Sequence, residues 1–421
     1  ILSVISVKEK KRLSKLSHLI YKASKKIKIL RHIAWPLEVK NKFFKENCQK
    51  LPIHIYPLHD DSELKFILNE ADKYFGNTLY DSWLKIKAEE IKKNSSLLKA
   101  CGTKEFFNIS SDIYGLPTTP IHDNITKPVN LSNQFEKIIG GIKHSKLKLK
   151  PSLSLSSSEV AKKIDDKVKL YFNEYAPQVQ LVKNLSAKAT ATSKYIRIRE
   201  GGEFDQADIN QLLNHEAYIH VATTINGRKQ KNMKILGANY GSVTKTQEGL
   251  AVFSEFISGS IDVDRLKRIS DRTIAIQMAI EGADFIDIYN YFIKEGVSMD
   301  QAFENSRRVF RGGVIAGGAP FTKDLVYLDG FIRVFNFLRS AISLGKIECI
   351  ELLFSGKMDL DDMPIIYSLY KDGLIRKPDF IPPWANNLNY LICFFSVSMF
   401  IEDIDYSNVS KHYDLLLDSI N

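Results

Sequence analysis

Apolar residues recur at intervals of three and four through most of this chain, the pattern of amphipathic helices, and only a few short stretches read as strands. From Lys8 to Leu30 the apolar stripe is Leu13, Leu16, Leu19 and Ile20. Trp35-Pro36 interrupts it, and proline suits the first turn of the helix expected over LEVKNKFFKEN. LPIHIYP reads as a short strand or extended segment. Residues 61–100 predict two helices, with Leu64, Ile67 and Leu68, then Leu84, Ile86 and Ile91, as inward positions. SSDIYGLPTTPIHDN is a turn cluster punctuated by Pro and Gly. Helices are expected over Leu131–Ile142 and over SSSEVAKKIDDKVKLYFNEY, the latter opened by a serine cap. VQLVKNL and KYIRIRE predict strands. After the GGEF turn, DQADINQLLNHEAYIHVATTI predicts a helix capped by Asp205, and TQEGLAVFSEFISG a second one. The remainder is expected to be mostly helical, broken at RGGVIAGGAP. Leu391 to Ile401 is the longest apolar run, too short to span a bilayer, and predicts a buried helix.

One stretch carries chemistry. Asn214 to Ala251 opens with His215, Glu216 and His220 and closes with Gln-Glu-Gly-Leu-Ala, which contains Glu248. Two imidazoles, a carboxylate beside the first and another further on form the parts of a zinc site whose remaining Glu takes a proton from water. In the common H-E-x-x-H motif the two His are four apart and share a helix face. Here they are five apart, which places them roughly 140° around a regular α-helix. Both reach one ion only if the helix widens, as in a π-bulge near Ala217–Ile219, or ends between them. A competing set uses Glu216 and His220, four apart, as ligands. Glu255, two turns beyond Glu248, is a reserve ligand or a partner that orients a ligand His.

The run resembles the bacterial QEGLA-motif family of flavohemoglobin expression-modulating proteins and is similar to its vertebrate relatives, the microtubule-associated tyrosine carboxypeptidases. The matching pieces are NHEAYIH, Asn226-Gly227 with Gln230 downstream, QEGLAVFSEFISG, EGADF, RRVFRGG, FTKDLVYLDG and LLFSGKM, with LRHIAWPLEVKNKFF and SAKATATSKYIRIREGGEF upstream. They span nearly the whole chain in order. In the vertebrate relatives the two His and the Glu of the second motif bind zinc, and the Glu after the first His is the base. The resemblance therefore implies His215, His220 and Glu248 as Zn2+ ligands and Glu216 as catalytic base. It also implies an α+β, predominantly helical, zincin-like metallopeptidase with a small mixed sheet. In that arrangement a strand lies along the cleft and pairs with substrate backbone, a role open to KYIRIRE; the alternative for that strand is an ordinary sheet edge protected by charge.

Composition narrows the classes. The 421 residues are 44% hydrophobic, as in a folded globular protein. Three regions are expected: 1–145, mainly helical; a Lys/Ser-rich linker or loop at 146–158; and a catalytic domain over 159–421 with a helical C-terminal part. The net charge of +10 sits almost wholly in residues 1–50, which hold fourteen Lys/Arg against three acids. That confines any basic surface to the N-terminal segment, which could meet an acidic partner; no nucleic-acid partner is expected. Four scattered cysteines without a CxxC pair, and no transmembrane or secretory pattern, suit a cytoplasmic protein. The two Gly-Gly pairs of RGGVIAGGAP lack the Lys-Ser/Thr ending of a phosphate loop, and His54 with His59 lacks a third ligand at suitable spacing.

A carboxypeptidase also needs an oxyanion donor and a cation for the terminal carboxylate. Tyr327 is the candidate for the first; Arg308, Arg311 and Lys323 are candidates for the second. Asn226 is placed, with Glu255, among residues supporting the ligands. The function expected is zinc-dependent removal of a C-terminal residue, tyrosine or another aromatic, from a peptide or protein tail. Alternatives are a zinc endopeptidase or amidase, and a regulatory protein without catalysis.

Overall fold

The computed structural model describes residues 5–141, 154–183, 185 and 188–418. The architecture is mostly helical with one three-stranded mixed sheet. Strand β1 (Gln178–Val182) pairs parallel with β3 (Tyr195–Arg199), and β2 (Ala189–Ala191) pairs antiparallel with β3, giving the order β1-β3-β2. Side chains alternate along β3: Ile196 and Ile198 are buried, whereas Arg197 and Arg199 remain partly exposed. The buried face meets Val160, Ile164 and Val168 of the Ser157–Phe172 helix and Ile209, Leu213, Ala217 and Val221 of the helical run after the sheet.

β3 is therefore the central strand, with both hydrogen-bonding edges taken. A role in pairing with substrate backbone is excluded for KYIRIRE, as is the alternative of a charge-protected sheet edge. The sequence pattern missed β2, whose three residues, Ala189, Thr190 and Ala191, are too few to show an alternation. LPIHIYP, read as strand or extended, makes no ladder.

The Thr244–Ile257 helix runs through the main core and packs on the Val326–Ser343 helix. Their crossing is set by glycine against glycine. A Cβ on Gly249 would lie 2.3 Å from the carbonyl of Gly330, and one on Gly330 would lie 2.3 Å from Lys245 O. No other residue allows backbones to approach so closely.

Residues before and after the Lys/Ser-rich segment share cores. Leu13, Leu16 and Ile20 belong to the cluster containing Ile219, Leu250 and Phe253, while Trp35 and Phe43 pack among Phe285, Phe303 and Phe310. Of the 146–158 segment itself, 146–153 lie outside the described residues; Leu155 bridges to Phe204, and Ser156 caps the next helix through Glu159. Part of the basic N-terminal charge is paired internally: Arg12 holds Glu9 and Asp81, and Lys40 holds Asp300 and Glu304. The run expected as a buried helix forms Leu388–Glu402, but only Leu391 and Phe395 are buried, so most of its apolar surface faces outward. Among the described residues no helix is long and apolar enough to cross a membrane.

Candidate metal centre

The helix carrying His215 begins regularly. Asp205 caps Gln206–Leu212 through a capping box with Asp208. From Leu213 to Val221 it widens into a π-helix, in which the Ala222 N–H donates to Ala217 O five residues back. In such a turn, positions five apart fall on one side, so the spacing that an α-helix would spread apart is brought together. The imidazoles of His215 and His220 stand 4.9 Å apart, centroid to centroid, at 81°. The five-residue spacing thus has its physical counterpart in a distorted turn, and Ala222–Lys229 resumes as α-helix.

Glu248 comes from the neighbouring Thr244–Ile257 helix. Its Oε2 lies 3.4 Å from His215 Nε2 and 3.5 Å from His220 Nε2, and one donor atom of each residue falls within 4.8 Å of the other two. Zinc ligands at about 2.0–2.1 Å in a tetrahedron are separated by roughly 3.3–3.4 Å, so the carboxylate–imidazole spacings fit such an ion. A second observation agrees: Glu248 Oε2 is buried without a hydrogen-bond partner. The competing pair of Glu216 and His220 is not the set that converges. Glu216 is half-buried and has no hydrogen-bond partner among the described residues.

A shell of polar groups orients the first imidazole. Glu255, fully buried, takes His215 Nδ1 at 2.6 Å and is gripped by Arg265 through Nε at 2.9 Å and Nη2 at 3.0 Å, with Gln211 Nε2 at 3.2 Å. With Nδ1 held by Glu255, the ring turns its Nε2 toward Glu248. Burial alone would lower the His215 pKa, but Glu248 and Glu255 outweigh it and push it up to about 10. Burial would likewise raise Glu255, yet Arg265 and His215 hold it down to about 2. The constellation therefore demands positive charge between its carboxylates. Gln247, missed in the sequence, ties the two helices together by accepting from Thr223 Oγ1 at 2.7 Å.

Beside this centre stands a cationic wall. Lys323 Nζ is 3.8 Å from Glu248 Oε1. The Tyr327 ring lies among Arg265, Arg272 and Lys323, and its hydroxyl accepts from Arg308 Nη2 at 3.3 Å. Arg308 itself is forked onto Asp324 at 2.6 and 2.8 Å. Burial would raise the Asp324 carboxyl, but Arg308 and Arg272 hold it well below the usual carboxylate range. Arg308 is thus committed to an internal acid rather than free for a ligand. Arg311 is buried with its Nε unpartnered, and burial followed by Arg308 pushes its pKa down to about 10.

Asn226 touches none of His215, His220 and Glu248, correcting its expected supporting role. Its amide donates to Phe354 O at 2.8 Å and Phe380 O at 2.7 Å and accepts from the N–H groups of Asp379 and Phe380. Together with Gln230, which donates to Ser355 O, it pins the FSGK segment onto the helix that continues from His220. Arg265 was not singled out by the sequence: it is one cation among many, and only the packing distinguishes it.

Comparison with known proteins completes the picture. No curated protein matches the chain. A solved structure described as a lipoprotein of Colwellia psychrerythraea aligns at 13% identity and TM-score 0.42, covering 79% of this chain and 66% of that one, so the chain spans just under two thirds of that structure's length. The family profile described as microtubule-associated tyrosine carboxypeptidase matches residues 41–403, a span that includes the His215, His220 and Glu248 constellation. That family is one of carboxypeptidases, and this chain belongs to it.

Proposed function

We propose that the protein is a zinc-dependent metallocarboxypeptidase that removes a C-terminal residue, tyrosine or another aromatic, from a peptide or protein tail. The observation that carries this reading is the convergence of His215 Nε2 and His220 Nε2 on an unpartnered Glu248 Oε2 at 3.4 and 3.5 Å. Zinc bound there supplies a Lewis acid and makes water acidic enough to ionise near neutrality. Glu216, next to His215 in sequence and free of hydrogen-bond partners among the described residues, accepts the proton of the attacking water and returns it to the leaving amine. Tyr327 has its oxygen engaged by Arg308, which leaves its own proton to donate to the developing oxyanion. Lys323 adds positive charge on the same side.

Glu216→Gln tests the reading. It is expected to retain zinc and lower kcat on a tyrosine-terminated peptide by about 10²–10⁴-fold, the usual span for a general base. Retained zinc with undiminished turnover, or a wild-type protein that binds no zinc, would count against it.

A further inference from the structure

The last two described helices contribute little to the core. In Leu388–Glu402 only Leu391 and Phe395 are buried, and Tyr406–Asp418 buries no residue at all. A helix of 13 residues is marginal in water by itself, where roughly 12–15 are needed even for alanine-rich sequences. This one is built largely from Tyr, Ser, Asn, Val, His and Asp, which are middling helix formers, so it calls for a surface to pack on. Tyr406, Tyr413 and Leu417 share one face of it at i, i+7 and i+11, with Tyr413 55% and Leu417 63% exposed.

A receiving surface lies on the preceding helix. Tyr390, Phe394, Val397 and Ile401, spaced four, three and four apart, line an apolar groove of about 610 Å³ together with Phe256 and Phe335 of the two central helices. The Phe394 ring sits 6.1 Å from that of Phe256 and 6.2 Å from that of Phe335. Glu402, the one charge in the lining, is already paired with Arg339. From Leu388 to Leu417 the exposed large apolar side chains leave roughly 1,000 Å² open, taking about half of 150–250 Å² for each. That exceeds the ~300–600 Å² patch of an ordinary monomer and matches the ~800 Å² each partner gives to a stable complex. The same stretch carries Glu402, Asp403, Asp405, Asp414 and Asp418 against Lys411 alone, which turns it away from anionic membranes and nucleic acid.

Each copy of the chain thus offers both a groove that accepts an apolar helix and a helix whose apolar face is left open. Two such surfaces satisfy each other through a twofold rotation, the commonest symmetry of soluble oligomers. We infer that the chain forms a homodimer in which the Tyr406–Asp418 helix of each copy lies in the groove of the other. The family match ends at residue 403, so this helix is an addition outside the shared family span.

The test is sedimentation velocity on the whole chain at micromolar concentration, where the expected species has twice the 48.0 kDa chain mass. Val397→Glu with Ile401→Glu alters the groove, and Tyr413→Glu with Leu417→Glu alters the helix. Each pair is expected to weaken dimerisation by about 100-fold or more, because each would bury unpaired carboxylates. All four side chains are exposed in a single copy, so the fold is expected to survive, as circular dichroism checks. Should one pair disturb folding, the other carries the comparison. Mixing the two variants is expected to recover part of the dimer, since the intact helix of one then meets the intact groove of the other. Association is expected to persist in molar NaCl, because apolar burial drives it and screening eases the repulsion between acids. A wild-type monomer, a dimer indifferent to both pairs, no recovery on mixing, or dissociation by salt overturns the inference.

Discussion

Among the described residues, two clusters offer a cation three convergent ligand residues. One is His215, His220 and Glu248; the other is Glu136, Asp271 and Glu295. In the second, Lys267 already stands among the acids, with Nζ 3.2 Å from Glu136, 3.0 Å from Asp271 and 2.7 Å from Glu295, and Tyr291 adds a hydrogen bond to Asp271. In the first, the nearest lysine reaches only the other carboxylate oxygen, at 3.8 Å, and the oxygen shared by the two imidazoles is unpartnered. Grouped acids therefore say little by themselves. What separates a metal site from a structural ion-pair knot is whether a side chain of the protein already neutralises it.

The comparison breaks most visibly under chelation. Stripping zinc is expected to abolish activity and to lower apparent stability by about 4 kcal/mol if the free ion had stood a thousandfold above its Kd. Thermal melts with and without chelator measure this; Glu248→Gln is expected to be blind to the chelator and Asp271→Asn as sensitive as wild type. Next in size is Lys267→Met, which leaves three acids facing one another and is expected to cost about 3–5 kcal/mol in urea unfolding. Millimolar calcium is expected to recover part of that loss, turning the knot into a cation site; no recovery would mean the acids move apart instead.

Acid titration distinguishes the clusters more finely. Glu255 is held at about 2, below its unfolded value of about 4.3. Its contribution is present above the unfolded value and is lost as pH falls toward 2. In metal-free protein, Glu255→Gln is expected to cost about 2–3 kcal/mol at pH 7, shrinking as pH drops from 5 toward 2. Asp271 is shifted the other way, burial outweighing Lys267 and Tyr291. A raised folded pKa favours the protonated form, so ionisation there carries a penalty as pH rises through it. Asp271→Asn is accordingly expected to change stability by less than about 1 kcal/mol at pH 7, the smallest effect of the series.

The same contrast bears on what the amino-acid order reveals. The convergence of His215, His220 and Glu248 was legible because the site expected of them limits the residue types, and their spacing called for a widened turn or a helix end. Arg308 misled: a guanidinium expected to await a ligand is instead satisfied by Asp324, sixteen positions on, and no local pattern announces that pairing. Asn226 misled in a similar way: expected to support the proposed ligands, it holds backbone carbonyls more than a hundred positions further on. The Leu388–Glu402 run has the apolar content of a buried helix, but apolar content does not say whether the core has room for it.

The glycine contact between the two central helices has a mechanical consequence. Gly249 directly follows Glu248 and meets Gly330 with no side chain between them. A rotamer change elsewhere can absorb a small shove, but here bare main chain bears on bare main chain. Any slide of the Val326–Ser343 helix is delivered undamped to the carboxylate, so the precision of the centre is governed from a neighbouring helix that supplies none of its three donors.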